Sequence, residues 1–228
     1  MSRTEVSRPP SGVTSRLSPH TDGLLAVAGT GIFAVLVIAL HFLESGFQPS
    51  SRFISEYVLG DWGLLMNIAF FGLGCALLAV ANGLRRSLEP GRRVKASVRL
   101  FYVGGVTQLL TAVFNSDSIA DSDAGRSSWH GTLHDLSGFI GFVCLMLATF
   151  FLRGVFARDV QWRRFAPHAL LYGFALTAIF ALVLFAPSDS FGIAQRVFVT
   201  VAVLWIGTLG CALLGADPAP SDPHVDPA

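Results

Sequence analysis

The sequence predicts an all-α polytopic membrane protein, a bundle of six transmembrane helices with both termini on the cytoplasmic side. Three observations carry the prediction. Hydrophobic residues make up 52% of the 228-residue chain and charged residues only 14%, whereas a soluble domain carries about a quarter charged residues. The apolar residues gather in six runs, each long enough to cross ~30 Å of hydrocarbon as a helix rising ~1.5 Å per residue. The basic residues fall in alternate connections between those runs, as the positive-inside rule requires.

Residues 1–22, rich in Ser, Pro, Thr and Arg without an apolar period, read as a disordered cytoplasmic tail. The first span, 23–43, is GLLAVAGTGIFAVLVIALHFL and carries no charge. It exceeds a signal-peptide core and no A-x-A-like site follows it, so it reads as a retained span. The second span is 62–84, and the third is 98–114 with Arg99 at its inner mouth. The fourth is 131–152, the fifth 165–186 and the sixth 193–214. Together they form one transmembrane domain, 23–215, followed by a Pro/Asp-rich tail, 216–228, that reads as disordered. Continuous runs of this length are helices, because barrel strands would alternate over about ten residues.

Orientation follows from Arg and Lys. The loop after span two holds Arg85, Arg86, Arg92, Arg93 and Lys95, and the loop after span four Arg153, Arg158, Arg163 and Arg164. The loops after spans one and three hold one arginine each, Arg52 and Arg126. The basic loops also suit anionic lipid, and Trp162 beside them reads as an interfacial anchor. With a net charge of +1 there is no field that would recruit nucleic acid. Cys75, Cys144 and Cys211 each lie inside an apolar run and read as small buried residues. The expected setting is the cell membrane, with membrane lipids as partners.

Most acids and three of the six histidines then fall at the outer face. The sharpest feature there is HGTLHD, 130–135. His130 and His134, four apart on a helix, share a face and could chelate a divalent metal. His41 at the end of span one could add a third nitrogen, and Asp117 or Glu56 an oxygen. Three protein ligands and a water describe a catalytic zinc site. The structural alternative is hydrogen bonding at a helix start, with Ser127 or Ser128 as cap and Asp135 near the positive helix end. Haem ligation or a proton relay could use only His41 with His134, and a second pair at the inner face is missing, since His168 stands alone there.

The loop SSRFISEYVLGDWG, 50–63, carries apolar residues that suggest a short element lying on the membrane. Glu56 within it could pair with Arg196, about one turn into span six, where an unpaired cation is costly; the alternative use of Arg196 is to grip an anionic head group. In the polar loop 114–131, Asp117 lies nearest the membrane, while Asp121 and Asp123 read as solvated. Asn67, Asn82, Thr107, Gln108 and Thr177 read as helix–helix hydrogen-bonding positions. No span carries a mid-membrane carboxylate or broken helix of the kind transporters use.

The order of these pieces, ISEYVLGDWGLLMN, FNSD, WHGTLHDLSGF and a Gln-Arg pair early in span six, resembles the bacterial and archaeal membrane family of domain of unknown function 998. The resemblance covers roughly 25–215. It implies a six-span bundle, singles out Ser55, Glu56, Asp117, His130 and His134, and brings no activity. The family pattern more often has Pro where this chain has Asn115. A more distant likeness links Ser, Asp and three His near one face to the alkaline ceramidase and adiponectin receptor superfamily, zinc amide hydrolases of seven spans whose HxxxH pair lies on the last span.

Two functional readings stay open. In the first, the protein is a non-enzymatic structural, lipid-binding or sensory membrane component. In the second it is a zinc-dependent hydrolase of a lipid-like ester or amide: His41, His130 and His134 hold the metal, Ser55, Glu56 and Asp117 serve the chemistry, and Arg196 binds the substrate's anionic group.

Overall fold

Ser18 opens the first helix. Its hydroxyl accepts the Thr21 N–H at 3.3 Å, and Pro19 follows at a position where a missing N–H costs nothing. Helix α1 therefore runs Pro19–Leu43, starting four residues before the apolar run. The structure, a computed structural model, describes residues 18–187 and 189–219. Of the two expected tails, residues 19–22 are helical, residues 216–219 carry no regular structure, and residues 1–17 and 220–228 lie outside the described residues.

The chain continues through α2 (Gly63–Ser87), α3 (Arg92–Val113), a five-residue α4 (Ile119–Asp123), α5 (Trp129–Phe156), α6 (Ala166–Phe185) and α7 (Phe191–Leu214). Short 3-10 helices cover Ile54–Leu59 and Arg163–Phe165. Six of these helices are long and apolar enough to span a membrane, in register with the six predicted runs. They outgrow the runs at polar ends. α3 begins at Arg92 rather than at 98, because Arg92, Arg93 and Lys95 can keep their charges in the head-group region while their stems lie along the helix. α5 begins at Trp129 because Ser128 caps it, accepting the Gly131 N–H at 3.0 Å.

The six long helices close into a ring: α1 packs on α2, α2 on α3, α3 on α5, α5 on α6, α6 on α7, and α7 on α1. With lipid outside, little hydrophobic force drives this, so close backbone approach matters. A methyl group added to Gly29 of α1 would collide with the Gly72 carbonyl of α2. The same holds between α2 and α3, where a Cβ on Gly74 or Gly105 would stand 3.1 Å from the other's carbonyl oxygen. The ring is uneven. In the apolar part of α2, 61% of residues are buried, against 22% for α6, so α6 is the loosest wall.

One end of the ring carries the basic loops and one the acidic ones. At the basic end Arg86 of α2 pairs with the buried Asp22 of α1 at 2.6 Å, and the Arg86 carbonyl accepts the Ala219 N–H at 2.7 Å, so the start of α1 and the stretch after α7 meet there. In the basic half, Trp205 of α7 reaches across the ring to donate to Thr149 of α5 at 2.9 Å, and Tyr172 of α6 stacks on its indole. Of the expected interhelical hydrogen bonds, Asn82 takes one from Tyr102 at 2.6 Å, while Asn67 donates to Asn115 in the connection after α3. Thr107 and Thr177 instead donate to carbonyls of their own helices, Gly104 and Gly173. Trp162 is not a lipid-facing anchor: it is 1% exposed and stacks on Phe156.

Candidate functional site

Two connections at the acidic end, after α1 and after α3, are held by carboxylates. Glu44 accepts the Trp62 N–H at 2.7 Å, and Gly60 is small enough to let that carboxylate in. The 54–59 helix does not lie flat on the membrane, since Ile54, Ser55, Glu56 and Tyr57 are all buried. Glu56 accepts the Phe53 N–H at 2.9 Å at the start of that helix. Asp117 takes the Ser128 backbone N–H and, at 2.8 Å, its hydroxyl, placing negative charge at the positive end of α5. Gly131 is the residue that makes room for it: a Cβ there would coincide with the Asp117 carboxylate. Asp121, half-exposed, pairs with Arg126 at 2.7 Å. Its hydrogen bond from Ser118, with that from Arg126, holds its carboxyl below the usual range.

Burial pushes the Glu56 carboxyl above its ordinary value of 4.5; the N–H groups of Phe53 and Ile119 and the charges of Arg52 and Arg196 oppose this more weakly. The folded protein therefore holds this proton more tightly than the unfolded chain does. The resulting stability is present below pH 4.5 and is lost as pH rises through the folded value. Thermal melts in detergent at a series of pH values should show this component as a falling melting temperature above pH 4.5. Glu56→Gln should flatten it, and an unchanged slope in that variant would assign the dependence to another group.

Arg196 and Glu56 do not form the expected ion pair; among the described residues the ion pairs are Arg86–Asp22 and Arg126–Asp121. Arg196 instead donates through Nη1 to the carbonyls of Pro49 (2.7 Å), Arg52 (2.6 Å) and Gly192 (3.1 Å). Its Nε donates to His41 Nε2 at 3.0 Å. Two carbonyls of the 49–52 segment and that of Gly192, one turn back along α7, converge on this guanidinium, whereas Glu56 is turned toward backbone N–H groups. The Nη2 of Arg196 keeps one long contact, to the Tyr57 hydroxyl at 3.4 Å.

The three histidines predicted to hold a metal do not gather. His41 has both ring nitrogens engaged, Nε2 by Arg196 and Nδ1 with the Val37 carbonyl at 2.7 Å. His134, 5% exposed, places Nδ1 2.7 Å from the Phe114 carbonyl. His130 is exposed and lies against Trp129 and Phe114. Among the described residues no group of three or more His, Cys, Asp or Glu side chains is placed to hold a metal ion. His130 and His134 part company: His134 is buried against the Phe114 carbonyl, while His130, one turn nearer the start of α5, is exposed beside the Phe114 and Trp129 rings.

What the acidic end does build is the mouth of a cavity. It occupies about 230 Å³ inside the ring and is lined by all six long helices and the 54–59 helix. Its depth is apolar, with Phe33, Leu73, Leu77, Phe142, Leu145 and Ile206. Gly104, Gly138, Gly141 and Ala202 give it width. Polar groups line it too: Ser55, Gln108, Thr111, His134, Asp135 and Gln195, all toward the acidic ends of their helices. Phe139 of α5 and Leu184 of α6 line it and are 49% and 57% exposed, and the Phe139 and Phe142 rings meet Phe180 of α6 across this wall. Ser55 and His134 are the predicted site residues that reach it. Gln108, Asp135 and Gln195 were visible in the sequence only as a packing residue, a dipole partner and half of a motif.

A family model described as "Protein of unknown function (DUF998)" matches residues 27–212. No curated protein and no solved structure matches the chain.

Proposed function

Because the chain belongs to the DUF998 family, whose description assigns no activity, we propose its function from the cavity: it is a lipid-binding membrane protein that takes one single-chain amphiphile into the helix ring. The alkyl chain lies toward Trp205, and the head sits at the acidic end, which the basic loops assign to the outer side of the cell membrane. One observation carries this reading, a cavity apolar through its depth and polar at one end, the pattern of a ligand site with a few orienting polar groups. From His134 to Leu145 along α5 it is roughly 16 Å long at the helical rise, in keeping with one extended alkyl chain. Entry from within the bilayer would be between α5 and α6, since α6 is the least buried helix of the ring.

The test is delipidation followed by rebinding. Protein stripped of lipid in detergent should gain thermal stability on addition of tetradecanol, by the mass-action stabilisation any native-state ligand gives. Solvent extracts of the unstripped protein should contain a single-chain amphiphile near one per chain. A melting temperature indifferent to tetradecanol, with only bulk lipid in the extract, would overturn the reading.

A further inference from the structure

We propose that the head group this cavity accepts is a hydrogen-bond-donating cation, a primary ammonium, and not a phosphate; the inference rests on the lipid-binding reading above. Its basis is the inventory of donors and acceptors at the mouth. Asp135 lines the cavity about 9 Å along α5 from Trp129; it is exposed at the mouth, and among the described residues its carboxylate makes no ion pair and no hydrogen bond. A carboxylate within a membrane-spanning helix is costly and calls for a partner. No lysine or arginine lines the cavity to supply one.

The neighbours of Asp135 are acceptors as well. Gln108 is 7% exposed and donates its amide to Thr111 Oγ1 at 3.1 Å; no hydrogen bond among the described residues reaches its carbonyl oxygen. The Phe114 carbonyl beside His134 Nδ1 can only accept, so Nδ1 carries a proton; no hydrogen bond among the described residues reaches Nε2, which in the neutral ring offers a lone pair. Two donors remain among them: the second N–H of the Gln108 amide, and the NH2 of Gln195, whose carbonyl accepts the Ile54 N–H at 2.8 Å. An ammonium with three N–H groups matches a carboxylate, an amide oxygen and an imidazole nitrogen. A phosphate would need donors and positive charge. None of the arginines of this end lines the cavity: Arg196 holds carbonyls and His41, Arg126 pairs with Asp121, and Arg52 lies over the Phe47 ring.

Three probes sharing one chain separate the possibilities: tetradecylamine, tetradecanol and tetradecyl phosphate, titrated at neutral pH into the protein in phosphatidylcholine nanodiscs, with empty discs subtracted. The amine should bind at least tenfold more tightly than the alcohol, and the phosphate more weakly than the alcohol. Asp135→Asn should bring the amine to the level of the alcohol and leave the alcohol unchanged. Phosphate binding equal to or tighter than the amine's overturns the ammonium assignment, as does an amine preference that survives Asp135→Asn. The comparison in the unsubstituted protein stands even if that variant folds poorly. Binding of none of the three overturns the lipid-binding reading itself, so the two failures are distinct.

Discussion

Replacing Arg196 by alanine should cost about 2–4 kcal/mol of stability, because hydrogen bonds to a charged group contribute about 1.5–3 kcal/mol each and several are lost together in a half-exposed setting. Three carbonyls, Pro49, Arg52 and Gly192, lose their common donor, and His41 Nε2 loses its partner. The carbonyls are crowded against one another: a Cβ on Gly192 would stand within 2.6–2.7 Å of the oxygens of Pro49, Ser50 and Arg52. Without the guanidinium their aligned dipoles repel, and the 49–52 segment should lift from α7. Arg196→Lys should recover little, since one ammonium on a flexible stem cannot face the carbonyls and His41 in a fixed fork. His41→Ala, which removes a single partner, should cost less than either. Unfolding in mixed detergent, followed by helical circular dichroism, measures all three, and an Arg196→Ala variant as stable as its parent would show that the carbonyls find other partners.

The sequence was informative about elements and poor about faces. Hydrophobic runs marked all six spans, since each run must match the bilayer whatever it packs against. The ends were less legible. The Arg92–Lys95 turn is polar and counts against a span on any hydropathy scale, yet it is helical because such side chains reach back to the interface. Ring closure depends on Gly29 meeting Gly72 and Gly74 meeting Gly105, pairings between helices that no single run reveals. At the site, the cluster of polar residues at one end was visible, but their roles were not. Asp117 and Glu56 are acids that serve backbone N–H groups, a use that depends on where Ser128 and Phe53 come to lie. HGTLHD has the spacing of a chelate, and its glycine carries the message the spacing hides: Gly131 is where the Asp117 carboxylate fits. Gln108 and Asp135 became a mouth only once α3 and α5 were turned toward a common cavity.

Gly138→Leu should move stability and binding in opposite directions. Gly138 lines the cavity, and a Cβ added there meets nothing within 4 Å, so a leucine side chain extends into empty space. In the ligand-free protein this fills part of a void and replaces a glycine within a helix, the latter alone worth about 0.5–1 kcal/mol. The stripped variant should therefore melt above its parent. The same side chain occupies volume the alkyl chain needs, and tetradecanol affinity should fall at least tenfold. Gly29→Leu is the informative contrast, because its side chain would drive into the Gly72 carbonyl between α1 and α2 and should lower stability and binding together. A variant damaged in its fold cannot gain stability while losing ligand. If Gly138→Leu instead binds tetradecanol as its parent does, the chain does not lie in the ring, and the stabilising effect of the alcohol must come from the lipid-facing surface of α6.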